Sequence, residues 1–430
     1  MKLYSSNDDY KLYEGSMLDM LDEIQSNSID SIITDPPYEL NFMNKGWDNS
    51  GIAFKKETWE KCYQVLKPGG YLLAFGGSRT FHRIACAIED AGFEIRDTIM
   101  WLYGSGFPKS MNLGLAIDKK NGVESKVVGY MDAPDLQDIG HKQKELGNGH
   151  IQSFGQIENA ERLQYEIKEA LNEWNDWGTC LKPSFEPIIV ARKPFDKSLV
   201  ENVLENRTGG LNIGECRVKT NGEAIDNHNT KGIPFMRNKE DYQENSRTKL
   251  TIGRFPANTI FTYDDNDFKD VLCGFRTIED MYTARYFYCA KASKKDRDEG
   301  LDNFESKKVN DGRLKEIDNP FQRGESPKKN IHPTVKPTEL MQYLIRLVTA
   351  RGGTVLDCFN GSGSTGKGVM YENKERNANY KYIGIELTSE YLPIAKARIE
   401  YAYNYKYDDP QLSIFDLEDI EEGNNIEKTN

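Results

Sequence analysis

The stretch SIITDPPYEL, residues 31–40, places an acid and an aromatic ring on a stiff turn directly after an apolar segment. Pro36 and Pro37 fix the backbone and have no N–H, so the turn exposes carbonyl acceptors beside the carboxylate of Asp35. Asp35 and the Pro36 carbonyl can together accept both hydrogens of an –NH2 group, while Tyr38 offers a flat face to a planar ring. The turn predicts a site for the exocyclic amine of a base, with a plain surface Asp-Pro-Pro turn as the alternative.

A second candidate site lies in TVLDCFNGSGSTGKG, residues 354–368, which has the form of a strand, a Gly-rich turn and a helix. Gly361, Gly363 and Gly366 have the spacing of a dinucleotide-binding loop. Asp357, however, points an acid into that pocket, where it repels phosphate and suits a cationic or amine-bearing ligand. S-adenosylmethionine has both a sulfonium and an amino group, so it fits this loop better than a dinucleotide does.

The strand predicted next, KYIGIELT at residues 381–388, ends near Glu386. An acid at the tip of the second strand of such a unit is where a ribose diol is held. Asp357, the glycines and Glu386 together therefore favour a bound S-adenosylmethionine over a simple tight turn.

The elements that must position these residues alternate between strands and helices. The pattern predicts a strand over 28–34, a helix over 58–66 closed by the stop signal KPGG at 67–70, a buried strand over 71–77, a helix over about 79–90 and a strand near 95–102. This alternation is typical of an α/β doubly wound sheet. Ligands of such sheets bind at the carboxyl ends of the strands, so we expect both sites to face one crevice.

Composition limits the class of protein. A chain of 430 residues with 38% hydrophobic and 29% charged residues predicts a soluble globular protein of two or three units. The net charge of −12 argues against a uniformly basic nucleic-acid coat but permits a local basic groove. Seven scattered cysteines, without CxxC or zinc-like spacing, fit a reducing cytoplasm and predict no metal site. No apolar run is long enough to span a bilayer, so we expect no membrane association.

The order of the motifs resembles the amino-group DNA methyltransferases of the permuted beta group, of phage or bacterial type. DPPY at 35–38 comes first, a variable middle follows, and HPTVKP at 332–337 directly precedes the Gly-rich loop. The resemblance implies a permuted, Rossmann-like α/β sheet of the S-adenosylmethionine-dependent methyltransferases with an inserted target-recognition region. The expected divisions are a catalytic half (1–117), a polar insertion (118–177), a returning strand of the catalytic half (178–193), the target-recognition region (194–331), the cofactor-binding half (332–404) and an acidic tail (405–430).

The resemblance also implies roles for individual residues. The expected catalytic residues are Asp35, Pro36, Pro37 and Tyr38, and the expected cofactor contacts are Asp357, Phe359, Gly361, Gly363, Thr365, Glu386, Thr334 and Lys336. Lys336 and Thr334 are assigned to a lid near the carboxylate of the cofactor, and Phe107 is a candidate to flank the base opposite Tyr38. Two positions depart from the family: Gly15-Ser16 stands where relatives often have Gly-Asp, and Cys358 replaces the usual proline and is expected to fill the core.

The function implied is site-specific methylation of adenine N6 in double-stranded DNA, with flipping of the target base, in the manner of restriction-modification enzymes. A cytosine-C5 enzyme needs a Pro-Cys nucleophile, and this sequence contains no Pro-Cys pair. A cytosine-N4 enzyme shares the scaffold but usually has Ser at the position of Asp35, so it remains the first alternative. A catalytically idle DNA-binding module is the second.

Two regions suggest partners. The middle region is expected to read DNA as a whole, with arginines among Asn and Gly at Arg207, Arg217, Arg237, Arg247 and Arg254. In the tail, QLSIFD resembles the short peptides that dock bacterial DNA enzymes on the replicative sliding clamp, so residues 411–415 are a possible clamp contact. The alternative is that Leu412 and Phe415 fold back on the protein's own sheet. The chain is expected to be a monomer or a dimer.

Overall fold

The structure is a computed structural model that describes residues 2–40, 50–103, 110–132, 164–218, 255–262, 287–289, 291–308 and 327–406. The chain divides into two compact units, one made of Met1–Ser105, Ser184–Gly312 and Pro327–Asn430, the other of Gly106–Pro183 and Arg313–Ser326. The functional divisions expected from the sequence stay predictions.

The strands within the described residues, numbered in chain order, are β1 (Lys2–Ser6), β2 (Tyr10–Glu14), β3 (Ile29–Thr34), β4 (Leu66–Phe75), β5 (Glu94–Tyr103), β6 (Lys126–Asp132), β7 (Gln164–Glu169), β8 (Phe185–Arg192), β9 (Thr259–Thr262), β10 (Phe287–Tyr288), β11 (Lys307–Lys308), β12 (Pro327–Lys328), β13 (Thr354–Asp357) and β14 (Lys381–Glu386). The α-helices in the same ranges are α1 (Met17–Met20), α2 (Lys56–Val65), α3 (Phe81–Asp90), α4 (Leu113–Asn121), α5 (Leu199–Asn206), α6 (Lys294–Asp298), α7 (Thr338–Val348), α8 (Ser364–Arg376) and α9 (Leu392–Tyr403).

The larger unit contains a sheet of ten strands in the order β1-β2-β14-β13-β3-β4-β8-β5-β9-β10. The pairs β1–β2, β4–β8 and β8–β5 are antiparallel, and the other neighbours are parallel. Only β1 and β8 among these ten therefore run against the rest. This mostly parallel sheet with helices confirms the α/β class expected from the alternating pattern.

β3 lies in the middle of the sheet and is buried along its whole length. It pairs with β13, where Ile32 lies opposite Leu356, and with β4, where Ile32 lies opposite Leu72. Ile32 joins a core cluster that includes Trp59 of α2, whereas Ile33 joins a different cluster with Leu344 of α7. Successive side chains thus enter opposite cores, which explains why Ile32 and Ile33 are both apolar although they point to opposite faces of the sheet.

The predicted elements of the first segment are confirmed, with one correction. α2 ends before the KPGG stretch as expected, but Lys67–Gly70 does not separate the helix from a later strand, because it lies inside β4. Ile29 pairs with Leu66 while Ser31 pairs with Tyr71, so the intervening residues bulge from the ladder. Gly69 makes the bulge possible with a left-handed φ of 79° and still donates its N–H to the Lys193 carbonyl at 2.9 Å.

The smaller unit is organised by the antiparallel pair β6–β7 and by α4. Asp118 on α4 is buried and accepts hydrogen bonds from Leu171 N at 2.8 Å and from Asn172 Nδ2 at 2.6 Å. These bonds lower the pKa of the Asp118 carboxyl and tie α4 to the residues after β7. A search of the described residues for a helix long and apolar enough to cross a bilayer finds none.

Candidate active site

Three carboxylates lie where three neighbouring strands end. Asp35 directly follows β3, Asp357 is the last residue of β13, and Glu386 is the last residue of β14. Because β14, β13 and β3 are adjacent and parallel, their carboxyl ends meet at one edge of the sheet. The structure thus brings Asp35 to the same edge as Asp357 and Glu386, which follow it by more than three hundred residues in the sequence.

The turn after β3 is occupied by a network of charged and hydroxyl groups. Lys336 Nζ lies 2.7 Å from Asp35 Oδ2, 3.1 Å from the Tyr38 hydroxyl and 3.3 Å from Glu186 Oε2. The Tyr38 hydroxyl donates to Glu186 Oε2 at 3.0 Å, and the Tyr103 hydroxyl donates to Glu186 Oε1 at 3.3 Å. One ammonium therefore joins two carboxylates and the tyrosine of the turn.

The electrostatics of this network follow from burial and from the mutual proximity of its charges. Burial raises the pKa of Asp35, and Lys336 opposes that rise. Burial lowers the pKa of Lys336, but Asp35 and Glu186 together raise it above its ordinary value, so the side chain is an ammonium. Burial, Asp35 and Glu186 raise the pKa of Tyr38 well above its ordinary value, so its hydroxyl keeps its proton.

The second oxygen of Asp35 is in a different position from the first. Oδ1 is buried and accepts no hydrogen bond from the part of the chain that the structure describes. An unpaired buried acceptor costs about 1–3 kcal/mol, more when it is charged, and such atoms are uncommon in folded proteins. Asp35 Oδ1 is therefore an acceptor that suits an N–H donor from a bound molecule.

Asp357, at the end of β13, accepts hydrogen bonds on both carboxylate oxygens from neutral groups of the chain. Oδ1 accepts from Thr34 Oγ1 at 2.7 Å and from Phe359 N at 3.1 Å, and Oδ2 accepts from Thr365 Oγ1 at 2.6 Å. Burial nevertheless raises the pKa of Asp357 to about 6, since these neutral donors offset desolvation only in part. Thr34 and Thr365 lie on β3 and α8, so the carboxylate bridges the two candidate sites.

Glu386, at the end of β14, is held by backbone amides. Its Oε2 accepts from Gly361 N at 2.6 Å and its Oε1 accepts from Thr388 N at 2.7 Å. Burial raises the pKa of Glu386 to about 7 despite these bonds. The acid therefore lies against the Gly-rich loop, as the spacing of the two strands predicts.

The Gly-rich loop itself is tight at two glycines. Gly361 and Gly363 have left-handed φ angles of 52° and 77°. A Cβ on Gly361 would lie 2.8 Å from His332 Nε2, and one on Gly363 would lie 3.0 Å from the Cα of Ala395. Both the backbone angle and the space therefore require glycine, and the loop can approach a ligand closely.

Two buried cations fix the loop from beneath. Arg398 is fully buried and donates to the Ser362 carbonyl at 2.7 Å and to Ser364 Oγ at 3.2 Å. Lys367, also fully buried, donates to Asp296 Oδ1 at 2.8 Å. These bonds hold the start of α8 in place without any bound molecule.

The remaining predicted residues have mixed surroundings. Phe359 packs against the core cluster that contains Trp59, and Thr334 is exposed. Cys358 is buried in the same cluster, with its Sγ 3.9 Å from Cys62 Sγ, which agrees with a core filler. Ser16 accepts a hydrogen bond from Leu18 N and caps α1, so this departure from the family has a structural role.

Several predicted residues cannot be placed at the site. Arg207 donates to the Arg351 carbonyl at 3.1 Å, and Arg217 lies 6.0 Å from the ring centre of Phe255. Phe107, Arg237, Arg247, Arg254 and the tail residues 411–415 lie outside the described residues.

The sequence analysis missed two residues that the structure places in the site. Thr34 was assigned only to the strand, although it is a polar residue directly before the DPPY turn and therefore at the strand end. Glu186 lies near the start of β8, and β8 runs against β4. The amino end of β8, not its carboxyl end, thus reaches the edge where the ligands are expected. The sequence does not reveal this strand direction, so it does not predict Glu186 as a residue of the site.

Comparisons with known proteins agree with this geometry. A sequence family described as DNA methylase, for the N6 and N4 methylases, matches residues 29–127 and 138–397. The type II methyltransferase M.HpaI of Haemophilus parainfluenzae is 35% identical over 108 residues, which cover 24% of this chain and 34% of that protein. The type II methyltransferase M.HindIII of Haemophilus influenzae is 20% identical over 245 residues, covering 47% of this chain and 64% of that protein.

The match to each of these relatives thus spans less than two thirds of the relative's length. Among solved structures, the cytosine-N4-specific PvuII DNA methyltransferase aligns with 97% of this chain and 94% of its own, at 14% identity and a TM-score of 0.41. A likeness at that score adds no argument to the strand order and site geometry given above.

Proposed function

The chain belongs to the DNA methylase family, and on that premise we propose that it methylates N6 of adenine in double-stranded DNA with S-adenosylmethionine as its cofactor. The observation that carries the proposal is Asp35 Oδ1, a buried acceptor without a partner in the described residues, on a carboxylate that shares Lys336 with the Tyr38 hydroxyl. It lies at the same sheet edge as Asp357 and Glu386. An acceptor for an amine therefore adjoins the acids expected to bind the cofactor.

The residues present fit the cofactor. Asp357 has no ion pair with a Lys or Arg among the described residues, so an amino or sulfonium cation is a suitable neighbour. Glu386 suits the hydroxyls of a ribose, and the left-handed glycines of the loop leave room for close approach. Phe359, Thr365 and Thr334 stay predicted contacts, as does Lys336, whose described partners are those of the DPPY turn.

The work of the DPPY turn is to prepare the amine. The lone pair of an exocyclic amine is delocalised into the ring, which makes the nitrogen a poor nucleophile. Asp35 Oδ1 and the Pro36 carbonyl accept its two hydrogens and favour a tetrahedral nitrogen with a free lone pair. S-adenosylmethionine, when bound, supplies an electrophilic methyl group.

Charge develops on the amine nitrogen as it is methylated. A carboxylate fixed beside that nitrogen stabilises the positive charge without reorganisation, which is the usual source of a large rate enhancement. In this proposal Asp35 also accepts the proton that the methylated amine must lose. Pro36 and Pro37 keep both acceptors in place because they restrict the backbone.

A base in a duplex cannot reach this turn, so we include base flipping in the proposal. Unstacking costs a few kcal/mol and is offset by stacking in the pocket. Tyr38 is the stacking residue that we propose, since its hydroxyl is fixed by Glu186 and Lys336.

The choice of adenine rests on the acid at position 35, because the resemblance associates Asp with adenine and Ser with cytosine N4. The permuted arrangement is supported by β3 and β13, which are neighbours in the sheet although DPPY precedes the middle region and the Gly-rich loop follows it. A role beside a restriction enzyme, a cytoplasmic location, a clamp contact and the oligomeric state stay predictions.

The test is nucleoside analysis of DNA, taken from a strain without DNA methyltransferases, after incubation with the protein and S-adenosylmethionine. We expect N6-methyladenine, and none with the Asp35→Ala variant as a control. If N4-methylcytosine were the only product, the proposed substrate would be wrong. If no labelled methyl group reached DNA under any condition, the protein would be an idle DNA-binding module.

A further inference from the structure

Lys336 lies at the centre of the DPPY turn, although the sequence assigns it to the cofactor. It precedes α7, and its side chain is only 8% exposed. Its Nζ lies 4.9 Å from the ring centre of Phe75 and 5.3 Å from that of Tyr38, in addition to its bonds with Asp35 and Glu186. These contacts on several sides fix the position of the buried Lys336 ammonium.

Glu186 provides the second half of the arrangement. It enters from the amino end of β8, between the hydroxyls of Tyr38 and Tyr103. Its Oε2 lies 3.3 Å from Lys336 Nζ. Glu186 thus holds both the lysine and the aromatic residue of the turn, although it contacts neither the amine nor the cofactor in the proposed chemistry.

We propose that Lys336 and Glu186 are positioning residues of the methyl transfer: Lys336 holds Oδ2 of Asp35 so that Oδ1 is presented to the amine, and Glu186 fixes Lys336 and the Tyr38 hydroxyl. The inference rests on the function proposed above, because it assigns Asp35 Oδ1 to the substrate. It adds two residues to the machinery and explains why one carboxylate oxygen is occupied and the other is open.

Lys336 restricts the orientation of the Asp35 carboxylate. The terminal torsion of an Asp side chain has a broad energy profile, so an untethered carboxylate turns easily. The charge-assisted bond at 2.7 Å between Lys336 and Oδ2 restricts that rotation. Without it, Oδ1 loses its alignment with the amine, and small misplacements of reacting groups reduce rates strongly.

Glu186 contributes to the net charge of the cluster. Asp35 and Glu186 are two carboxylates, and Lys336 is one ammonium, so the cluster is net negative when both acids are ionised. An Asp35–Lys336 pair alone would be neutral and would stabilise a positive amine less. Glu186 therefore lets Asp35 keep an orienting cation without losing the excess negative charge.

Two substitutions with opposite electrostatic effects separate this role from a merely structural one. Lys336→Met removes the cation that favours ionised Asp35, whereas Glu186→Gln removes the anion that disfavours it. The other titratable groups near the cluster are Tyr38, Tyr103, Asp357 and His332. Removal of Glu186 takes away one cause of the raised pKa of both tyrosines, and removal of Lys336 takes away one cause of the lowered pKa of His332. Lys291 also lies close, 3.6 Å from the ring centre of Tyr103.

The experiment is the pH dependence of single-turnover methylation of bulk unmethylated DNA by excess protein with radiolabelled S-adenosylmethionine. Ionised Asp35 is the active form, so the rate rises with pH on the acid limb. We expect Lys336→Met to move that limb up by about one pH unit and to lower the plateau rate about 10- to 100-fold. We expect Glu186→Gln to move the limb down and to lower the plateau about 10-fold.

Calorimetric binding of S-adenosylmethionine is the second readout, and we expect both variants to bind it within about threefold of the unaltered protein. Glu372→Gln is the matched control. It breaks a buried ion pair in which Glu372 lies 2.5 Å from Arg346, and this pair is not part of the turn. It should lower the thermal midpoint and leave the pH limb in place. If Lys336→Met does not fold, the downward shift in Glu186→Gln decides alone.

The outcomes distinguish this inference from the proposed function. Limbs that stay in place, or that move in the same direction in both variants, overturn it while the unaltered protein still methylates DNA. A cofactor affinity more than about tenfold weaker in Lys336→Met, with an unmoved limb, overturns it in favour of a cofactor role for that lysine. If the unaltered protein yields N4-methylcytosine, the adenine proposal fails, and opposite limb shifts still support the positioning roles.

Discussion

The DPPY turn and the Gly-rich loop lie at adjacent strand ends, and each contains a buried carboxylate. The two carboxylates differ in the groups of the protein that compensate for their burial. One oxygen of Asp35 is bound by the ammonium of Lys336. The other oxygen is buried and accepts no hydrogen bond from the described residues. Asp357 has both oxygens occupied by hydroxyls and an amide, and in the described part of the chain it has no cationic partner. Among the described residues, the first acid has a counter-charge and no donor to Oδ1, while the second has donors to both oxygens and no counter-charge.

This difference indicates which kind of bound molecule suits each region. A carboxylate that is fully hydrogen-bonded by neutral groups, with its pKa raised to about 6, gains most from a nearby cation. Asp35 already has a permanent cation in Lys336, and its Oδ1, which has no partner among the described residues, can accept an N–H. The loop is therefore suited to a charged cofactor and the turn to a neutral amine.

The largest expected effect is the loss of turnover in Asp35→Ala. Removing the acceptor that faces developing charge should lower the single-turnover rate by about 10²–10³ or more. Cofactor affinity measured by calorimetry should stay within a few-fold, since the loop keeps its own bonds. Loss of cofactor binding in this variant would break the comparison, because the two regions would then act as one.

A smaller effect is expected in Asp357→Asn, which keeps the shape and removes the negative charge. Cofactor affinity should fall by about 10- to 100-fold, because the attraction between a buried anion and a cationic ligand is lost. The rate at saturating cofactor should stay close to that of the unaltered protein. Titration calorimetry and saturating single-turnover assays measure these two quantities, and a pure rate defect with normal affinity would contradict the assignment.

The smallest effect is a release of protons when the cofactor binds. Folded Asp357 and Glu386 have pKa values of about 6 and about 7, both raised by burial, so each is partly protonated near pH 6.5. A cation and hydroxyl donors favour the ionised forms, so binding should release on the order of one proton or less and should tighten as pH rises through this window.

Calorimetry in buffers with different heats of ionisation measures that release. Asp35→Ala should retain it, and Asp357→Asn should reduce it. Proton uptake in place of release would show that the loop acids do not ionise around the ligand.

Much of this site follows from local patterns in the sequence. The apolar run of β3, the prolines after it and the Gly-rich turn after β13 each determine their own backbone, so their positions could be predicted from short segments. The rule that ligands bind at the carboxyl ends of parallel strands then brought Asp35, Asp357 and Glu386 to one edge. The fold class and the three acids needed no long-range information beyond that rule.

The residues that were missed depend on pairing over long distances. Glu186 reaches the site only because β8 runs antiparallel to β4, and strand direction is not encoded in the apolar run PIIV. The bonds of Lys336 to Asp35 and Glu186 likewise require three separate segments to meet. Pro and Gly usually interrupt strands, so KPGG predicts a boundary, whereas here Lys193, directly after the neighbouring strand β8, stabilises the bulge.

The central position of β3 has a consequence for how the chain folds during synthesis. β4, on one side of β3, follows it within the next few dozen residues, but β13, on the other side, begins only at Thr354. Until the ribosome reaches that point, the catalytic strand carries an uncovered edge of backbone N–H and C=O groups. Such high contact order slows folding and exposes the nascent chain to aggregation. Expression should therefore benefit from added chaperones, and the site cannot form before the last strands of the sheet have been made.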